Sequence, residues 1–219
     1  MSDTANRRPL KSRDTGWARA IAARLARAGF SPDMISAGSM VFALAGAALF
    51  VAQAGASGPA RAAELILAGA CVQLRLLCNL LDGMVAVEHG RGSPSGPIWN
   101  ELPDRLADIL FLAGAGYGAS LSGVAWGDDA GWAAAALAVL TAYVRELGRA
   151  LGQPADFRGP MAKPHRMALL TAGCVAAAAE PLWGWRGESL AIALAVVAAG
   201  AALTAARRTL GLGAHLRGR

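Results

Sequence analysis

Apolar stretches alternate with short polar segments along this chain. Six are long enough to cross a bilayer, near 34–54, 62–87, 97–120, 131–151, 166–183 and 188–206; a crossing helix takes about 20 residues. Helices are expected, because an isolated strand cannot satisfy its backbone in lipid. Ahead of them, residues 14–29 read DTGWARAIAARLARAG. Trp17, Ile21 and Leu25 recur every four residues, with Arg19, Arg24 and Arg27 largely off that stripe. This predicts an amphipathic helix lying in the membrane interface, although plain anchoring by positive charge explains the arginines equally well. Ser31-Pro32-Asp33 supplies a turn and a cap before the first stretch. The predicted fold class is therefore all-α: a polytopic membrane protein with six transmembrane helices and an N-terminal amphipathic interfacial helix. Its expected divisions are 1–30 (cytoplasmic polar tail and interfacial helix), 31–210 (membrane domain) and 211–219 (cytoplasmic tail).

Composition supports this and excludes other classes. Hydrophobic residues make up 55% of the 219 and charged residues 16%, against about 25% charged in soluble domains. Mean hydropathy is +0.39. A disordered chain, a disulfide scaffold and an ordinary water-soluble enzyme do not fit. The net charge of +6 could mean nucleic acid, but no basic stripe is interleaved with aromatics, which are only 6%. No nucleic-acid partner is expected. Cys71, Cys78 and Cys174 lie in apolar runs without CxxC spacing and read as packing residues. The first 33 residues are Arg-rich, lack an apolar core with a cleavage site, and do not read as a secretory signal.

Charge also orients the spans. With both ends on one side, that side collects Arg7, Arg8, Lys11, Arg13, Arg19, Arg24, Arg27, Arg91, Arg145, Arg149, Arg158, Lys163, Arg166, Arg207, Arg208, Arg217 and Arg219. The opposite loops hold only Arg61 and Arg186. Both termini and the loops after the second and fourth spans are expected to be cytoplasmic, in a cell membrane of bacterial inner-membrane type. All six tryptophans fall near predicted span ends, as an interfacial belt requires.

Polar residues inside two spans point to chemistry, since a carboxylate in a span is costly unless it meets water, a partner or a metal. The second span ends with Arg75, Asn79, Asp82, Gly83 and Ala86, which share an arc of roughly 100° on a helix. The third begins with Gly96, Asn100, Asp104 and Asp108, each four apart and so in one row. Joined by a short loop, the two helices are expected to be antiparallel neighbours with facing polar rows. Clustered Asp and Asn oxygens suit a hard cation, Mg²⁺ or Mn²⁺, and such an ion would attract a diphosphate.

At these residues the chain resembles the CDP-alcohol phosphatidyltransferase family, whose signature is D-x2-D-G-x2-A-R-x8-G-x3-D-x3-D. Here the string is N79-x2-D82-G83-x2-A86-V87-x8-G96-x3-N100-x3-D104. Every spacing is kept, and three positions depart: Asn79, Asn100 and Val87. The resemblance implies six transmembrane helices, a cytoplasmic active site, a homodimer, and transfer of a phosphatidyl-type group from a CDP-activated lipid such as CDP-diacylglycerol to an alcohol acceptor, releasing CMP in phospholipid biosynthesis. It implies a metal set of Asn79, Asp82, Asn100 and Asp104, with Asp108 or Glu101 supplying missing charge and Asp104 as the catalytic base. Gly83, Ala86 and Gly96 would leave room for the nucleotide, and Arg145 would bind a phosphate. Two charges in place of four weaken a two-metal arrangement. Val87 stands where the family has an arginine, and Arg75 or Arg91 could hold the diphosphate in its place.

Plainer readings stand beside these. Asp82 and Asp104 could form buried ion pairs with Arg75 or Arg105. Asn79 and Asn100 could be interhelical hydrogen-bond glue. Asp108 and Glu101 read slightly better as solvated or ion-paired carboxylates, and Gly114 with Gly118 as a helix-packing pair. His165 reads as interfacial. The alternative function is a catalytically impaired relative that binds lipid or nucleotide and regulates a partner.

Overall fold

The computed structural model describes residues 15–218. The polar tail expected over 1–13, with Arg7, Arg8, Lys11 and Arg13, lies outside the described residues, as does Arg219. Among the described residues the chain is all helical, as expected: α1 (Gly16–Arg27), α2 (Pro32–Gly38), α3 (Met40–Ala52), α4 (Gly58–Glu88), α5 (Gly96–Leu121), α6 (Gly127–Ala150), α7 (Lys163–Ala179) and α8 (Glu188–Arg217), with a short 3-10 turn, Glu180–Leu182, after α7.

Local sequence sets the helix starts. Pro stands in the first two positions of α2, α4, α5 and α7, where its missing N–H costs nothing and its φ suits a helix. The Ser31 hydroxyl accepts the Met34 N–H at 3.1 Å, the expected cap. The first apolar stretch is divided: α2 and α3 meet at Ser39, whose Oγ donates to the Ser36 carbonyl at 2.5 Å. At the other terminus α8 continues through Arg217, so 211–217 is helical and continuous with the last apolar stretch.

Three segments are long and apolar enough to cross a membrane: Pro32–Ala52, Gly58–Glu88 and Glu188–Arg217. The helices α5, α6 and α7 fall short for visible reasons. The first half of α5 carries Glu101, Asp104, Arg105 and Asp108; α6 ends on Arg145, Glu146 and Arg149; α7 has only 17 residues. The chain is a membrane protein by these apolar helices.

The helices α3, α4, α7, α8, α6 and α5 pack in that order as a closed ring, each against the next. Small residues make the ring tight. Leu112 O and the Gly116 backbone lie so close to Gly131 that a Cβ there would sit 2.8 Å from them. Gly114 and Gly118 bring α5 onto Ala47 and Phe50 of α3, the packing role expected of them. Large apolar side chains instead point outward, among them Val41, Leu44, Ile66, Leu67, Val175 and Ile192. All six tryptophans are exposed as well.

One expectation needs refining. The backbones of α4 and α5 come close at few points despite their short loop, because α2 and α3 each pack against both. The polar rows meet as expected, but through side chains, Arg75 and Asn79 of α4 reaching Asp104 of α5. The face of α1 that packs on the protein is Ala18, Ala22 and Ala26, seated against Leu80, Leu81, Met84 and Val85 of α4. Alanine lets the helices approach closely, so the row beside the apolar stripe makes the contact. Trp17 stays exposed, while Ile21 and Leu25 border the cluster.

Candidate active site

The end of α4, the start of α5 and the start of α7 converge at one end of the ring. Their meeting point is one oxygen. Asp104 Oδ1 accepts from Arg75 Nη2 at 2.9 Å and from Asn79 Nδ2 at 2.6 Å. The Lys163 ammonium lies 2.5 Å from the same oxygen. Pro103 precedes Asp104 inside α5, so the helix there lacks one backbone N–H donor.

Asp82 sits one turn along α4 from Asn79, buried, and its Oδ2 accepts from Ser36 Oγ of α2 at 2.5 Å. Asn79, one turn before Asp82 on α4, donates to Asp104, so Asp82 lies one helical turn from a residue bonded to the other motif aspartate. Asp82 Oδ1 is buried without a hydrogen-bond partner.

Of the other expected residues, Asp108 is buried and paired with Arg166 of α7 at 2.5 Å, and its Oδ1 is also without a partner. Asn100 is exposed on the first turns of α5. Arg145 reaches both Glu101 oxygens, at 2.6 and 2.7 Å, and Glu146 at 2.8 Å. Its guanidinium lies 5.7 Å from the centre of the Phe157 ring. Arg105 pairs with Glu101 rather than with a motif aspartate. Ala86 is half-buried, and a Cβ at Gly96 would meet only Ser93 Oγ, at 3.6 Å.

Sequence reasoning missed two residues. Lys163 reads from sequence as a topology charge and Ser36 as part of an apolar stretch. The spacing of Lys163 and Arg166, one turn apart, mirrors that of Asp104 and Asp108, and the structure forms both rungs. That complementarity was the available signal.

Two oxygens here are open to a ligand. Asp82 Oδ1 lacks a partner, and an orphan buried carboxylate oxygen is costly in protein. Asn79 donates through Nδ2, which frees its carbonyl oxygen for an ion. Among the described residues no group of three or more His, Cys, Asp or Glu side chains is placed to hold a metal, since two motif positions are Asn and Asp108 is held by Arg166.

A surface cleft of about 570 Å³ opens beside the 151–162 loop, lined by Gln153, Pro154, Asp156, Phe157, Arg158 and His215. None of these residues belongs to the hub on Asp104.

No family model matches the chain. It is 28% identical over 166 residues to a phosphatidylinositol phosphate synthase of Mycobacteroides abscessus, covering 71% of this chain and 66% of the relative. It is 35% identical over 146 residues to a bifunctional IPC transferase and DIPP synthase of Rubrobacter xylanophilus, covering 65% of this chain and 30% of that one. The chain thus spans just under two thirds of one relative and under a third of the other. Among solved structures, phosphatidylinositol phosphate synthase of Mycobacterium tuberculosis with CDP-DAG bound superposes at a TM-score of 0.72, with 21% identity, over 89% of this chain and 92% of that one. The same synthase with manganese and citrate gives 0.74, at 21% identity, over 89% and 88%. The shared fold, the two relatives and the kept motif spacing agree. The chain is similar in fold and motif spacing to CDP-alcohol phosphatidyltransferases. Of its three departures from that motif, Asn79 belongs to the Asp104 hub, while Asn100 and Val87 are exposed.

Proposed function

We propose that this chain transfers a phosphatidyl-type group from a CDP-activated lipid to an alcohol acceptor and releases CMP, in phospholipid biosynthesis. The observation that carries the reading is the meeting of the two motif halves, at family spacing, where Asn79, one turn from Asp82 on α4, donates to Asp104 of α5 at 2.6 Å.

Asp104 is the base. Its Oδ1 is held by Arg75, Asn79 and Lys163, and Oδ2 takes the proton of the acceptor hydroxyl. The acceptor oxygen bonds to the lipid-side phosphorus, the bond from that phosphorus to CMP breaks, and its electron pair leaves with CMP. Arg75 and Lys163 stabilise charge developing on the phosphate oxygens. A bound divalent ion, Mg²⁺ or Mn²⁺, would polarise the diphosphate and offset its charge. Asp82 and the Asn79 carbonyl would hold that ion, with Asn100 and Asp108 as further candidate ligands, while Gly83, Ala86 and Gly96 would leave space for the nucleotide. Arg145, held by Glu101, would bind the acceptor phosphate.

In the membrane, six spans run from α2–α3 through α8, and both termini face the cytoplasm with the catalytic end. The helix α1 lies in the interface with Trp17 outward. The protein is a multi-pass protein of the cell membrane, and the family resemblance adds a homodimer.

The test is purified protein in lipid nanodiscs with CDP-diacylglycerol, Mg²⁺ or Mn²⁺ and a panel of alcohols. Inositol phosphate comes first, since one relative is named a phosphatidylinositol phosphate synthase. CMP release that requires an alcohol is expected. No release across the panel from folded protein would favour the impaired relative that binds lipid or nucleotide.

A further inference from the structure

We propose that Arg75 and Lys163 stand in for a second divalent ion, so that the chain binds one ion, at Asp82, and carries its other cationic charge built into the protein. The inference rests on the phosphatidyl-transfer reading for its substrate, but its geometry stands apart from it.

The oxygen Asp104 Oδ1 accepts from two donors, Arg75 at 2.9 Å and Asn79 at 2.6 Å, and the Lys163 ammonium pairs with it at 2.5 Å. A hard cation would need to approach the same oxygen to roughly 2.0–2.6 Å. It would displace two positive charges that have nowhere comparable to go. The Arg75 side chain is only 2% exposed, and Lys163 is largely enclosed. Asn79 presents its amide nitrogen to Asp104, so it supports the hub as a donor there and offers its oxygen elsewhere. Asn100 is exposed, and Asp108, although its Oδ1 is also without a partner, already carries the Arg166 guanidinium on Oδ2. By contrast Asp82 carries no cation: one oxygen takes the Ser36 hydroxyl and the other is buried and free. The site therefore has oxygen ligands for one ion and fixed cations where a second would go.

Charge gives the same answer. Asp82 and Asp104 are balanced by Arg75 and Lys163 before any ion arrives. One divalent ion then balances one diphosphate. A second ion would leave two positive charges uncompensated in a site largely closed to water, which low-dielectric surroundings penalise. Arg75 has a further feature that fits an anion. Its Nε and Nη1 are buried without hydrogen-bond partners, so the guanidinium that neutralises Asp104 keeps two donors for phosphate oxygens. This residue, one turn before the motif, takes over the role of the missing motif arginine at Val87.

The measurement is Mn²⁺ binding to the full chain in nanodiscs, followed by electron paramagnetic resonance of free Mn²⁺, with a thermal melt to verify folding. The wild type should bind one Mn²⁺ per chain. Asn79→Asp should still bind one, because both cations remain on Asp104. Asn79→Asp with Arg75→Met and Lys163→Met should bind two. Two ions in the wild type or in Asn79→Asp overturn the proposal, as does the absence of any bound ion. If the triple variant does not fold, the first two proteins still decide. CMP release is assayed separately. Two ions with CMP release would remove this inference and leave the proposed reaction; one ion without CMP release would do the reverse.

Discussion

Arg166 of α7 reaches Asp108 of α5 at 2.5 Å, and the two side chains are 2% and 1% exposed. This pair ties the catalytic end of α5 to α7, one turn beyond the Lys163–Asp104 contact. Removing one partner of a buried pair leaves the other charge uncompensated, which costs ~3–5 kcal/mol. Arg166→Met should lower stability by about that amount in a detergent-denaturation titration. Asp108→Asn combined with Arg166→Met should recover much of the loss. Equal or additive losses in the double variant would show that the pair does not act as a unit.

Asp104→Asn keeps the shape of the hub and removes both its charge and its capacity to take a proton. Turnover should fall by at least ~100-fold, the lower end of general-base contributions. CDP-lipid binding, read by protection of the protein against heat, should persist. Wild-type rates in this variant would remove the base assignment.

Much of this was legible in the sequence. Six apolar runs and the N79-x2-D82…N100-x3-D104 string marked the helices and the site, because period and spacing are local properties. The facing of the polar rows was legible too, but not the manner of it. A short loop between α4 and α5 predicts close backbone packing, and only the tertiary placement of α2 and α3 against both explains why they meet mainly through side chains. Ser36 was illegible for the same reason, and Lys163 was signalled only by the matched spacing of Lys163/Arg166 and Asp104/Asp108. Each lies far along the chain from the residue it serves, 59 and 46 positions away in numbering. Ala18, Ala22 and Ala26 were overlooked on α1 because hydrophobic stripes draw attention to large residues, whereas close helix contact selects small ones.

Ser36→Ala tests the link from α2 to the site. The hydroxyl donates to Asp82 Oδ2 at 2.5 Å, which leaves Oδ1 as the oxygen without a partner. A hydrogen bond to a charged group contributes ~1.5–3 kcal/mol. Loss of it frees Asp82 to rotate and weakens the orientation of Oδ1. The half-saturating Mn²⁺ concentration should rise by about tenfold, corresponding to ~1.4 kcal/mol, with the number of ions unchanged. An unaltered Mn²⁺ titration would mean that Ser36 does not position Asp82.

Outside the spans, the 151–162 loop carries a pH-dependent contact. Hydrogen bonds from the Arg158 side chain and backbone N–H hold the Asp156 carboxyl below the usual carboxylate range. A depressed folded value means that the contribution is present above the unfolded pKa and is lost as pH falls through the folded one. Because Arg158 is mostly exposed, the effect should stay within ~1 kcal/mol. Melting curves of Asp156→Asn should lie slightly below wild type at neutral pH and converge with it in acid. A constant difference at every pH would exclude the carboxylate as the cause.

The approach of α3 to α5 gives the sharpest steric test. A Cβ on Gly118 would land on the Phe50 carbonyl oxygen, with Gln53 Nε2 2.9 Å away. That oxygen is backbone and cannot swing aside, so the helices must separate. Separation would also stretch the Gln53 Nε2 bond to the Gly118 carbonyl, now 3.0 Å, and through Gln53 disturb Arg61 and its partner Glu180. Overpacking of this kind costs ~1–3 kcal/mol, and the disturbed buried network adds to it. Gly118→Ala should therefore lower the melting temperature clearly. Gly96→Ala, whose new methyl would meet only Ser93 Oγ at 3.6 Å, should leave it nearly unchanged while narrowing the space assigned to the nucleotide. If the two variants melt alike, glycine at 118 is not what allows α3 and α5 to close together.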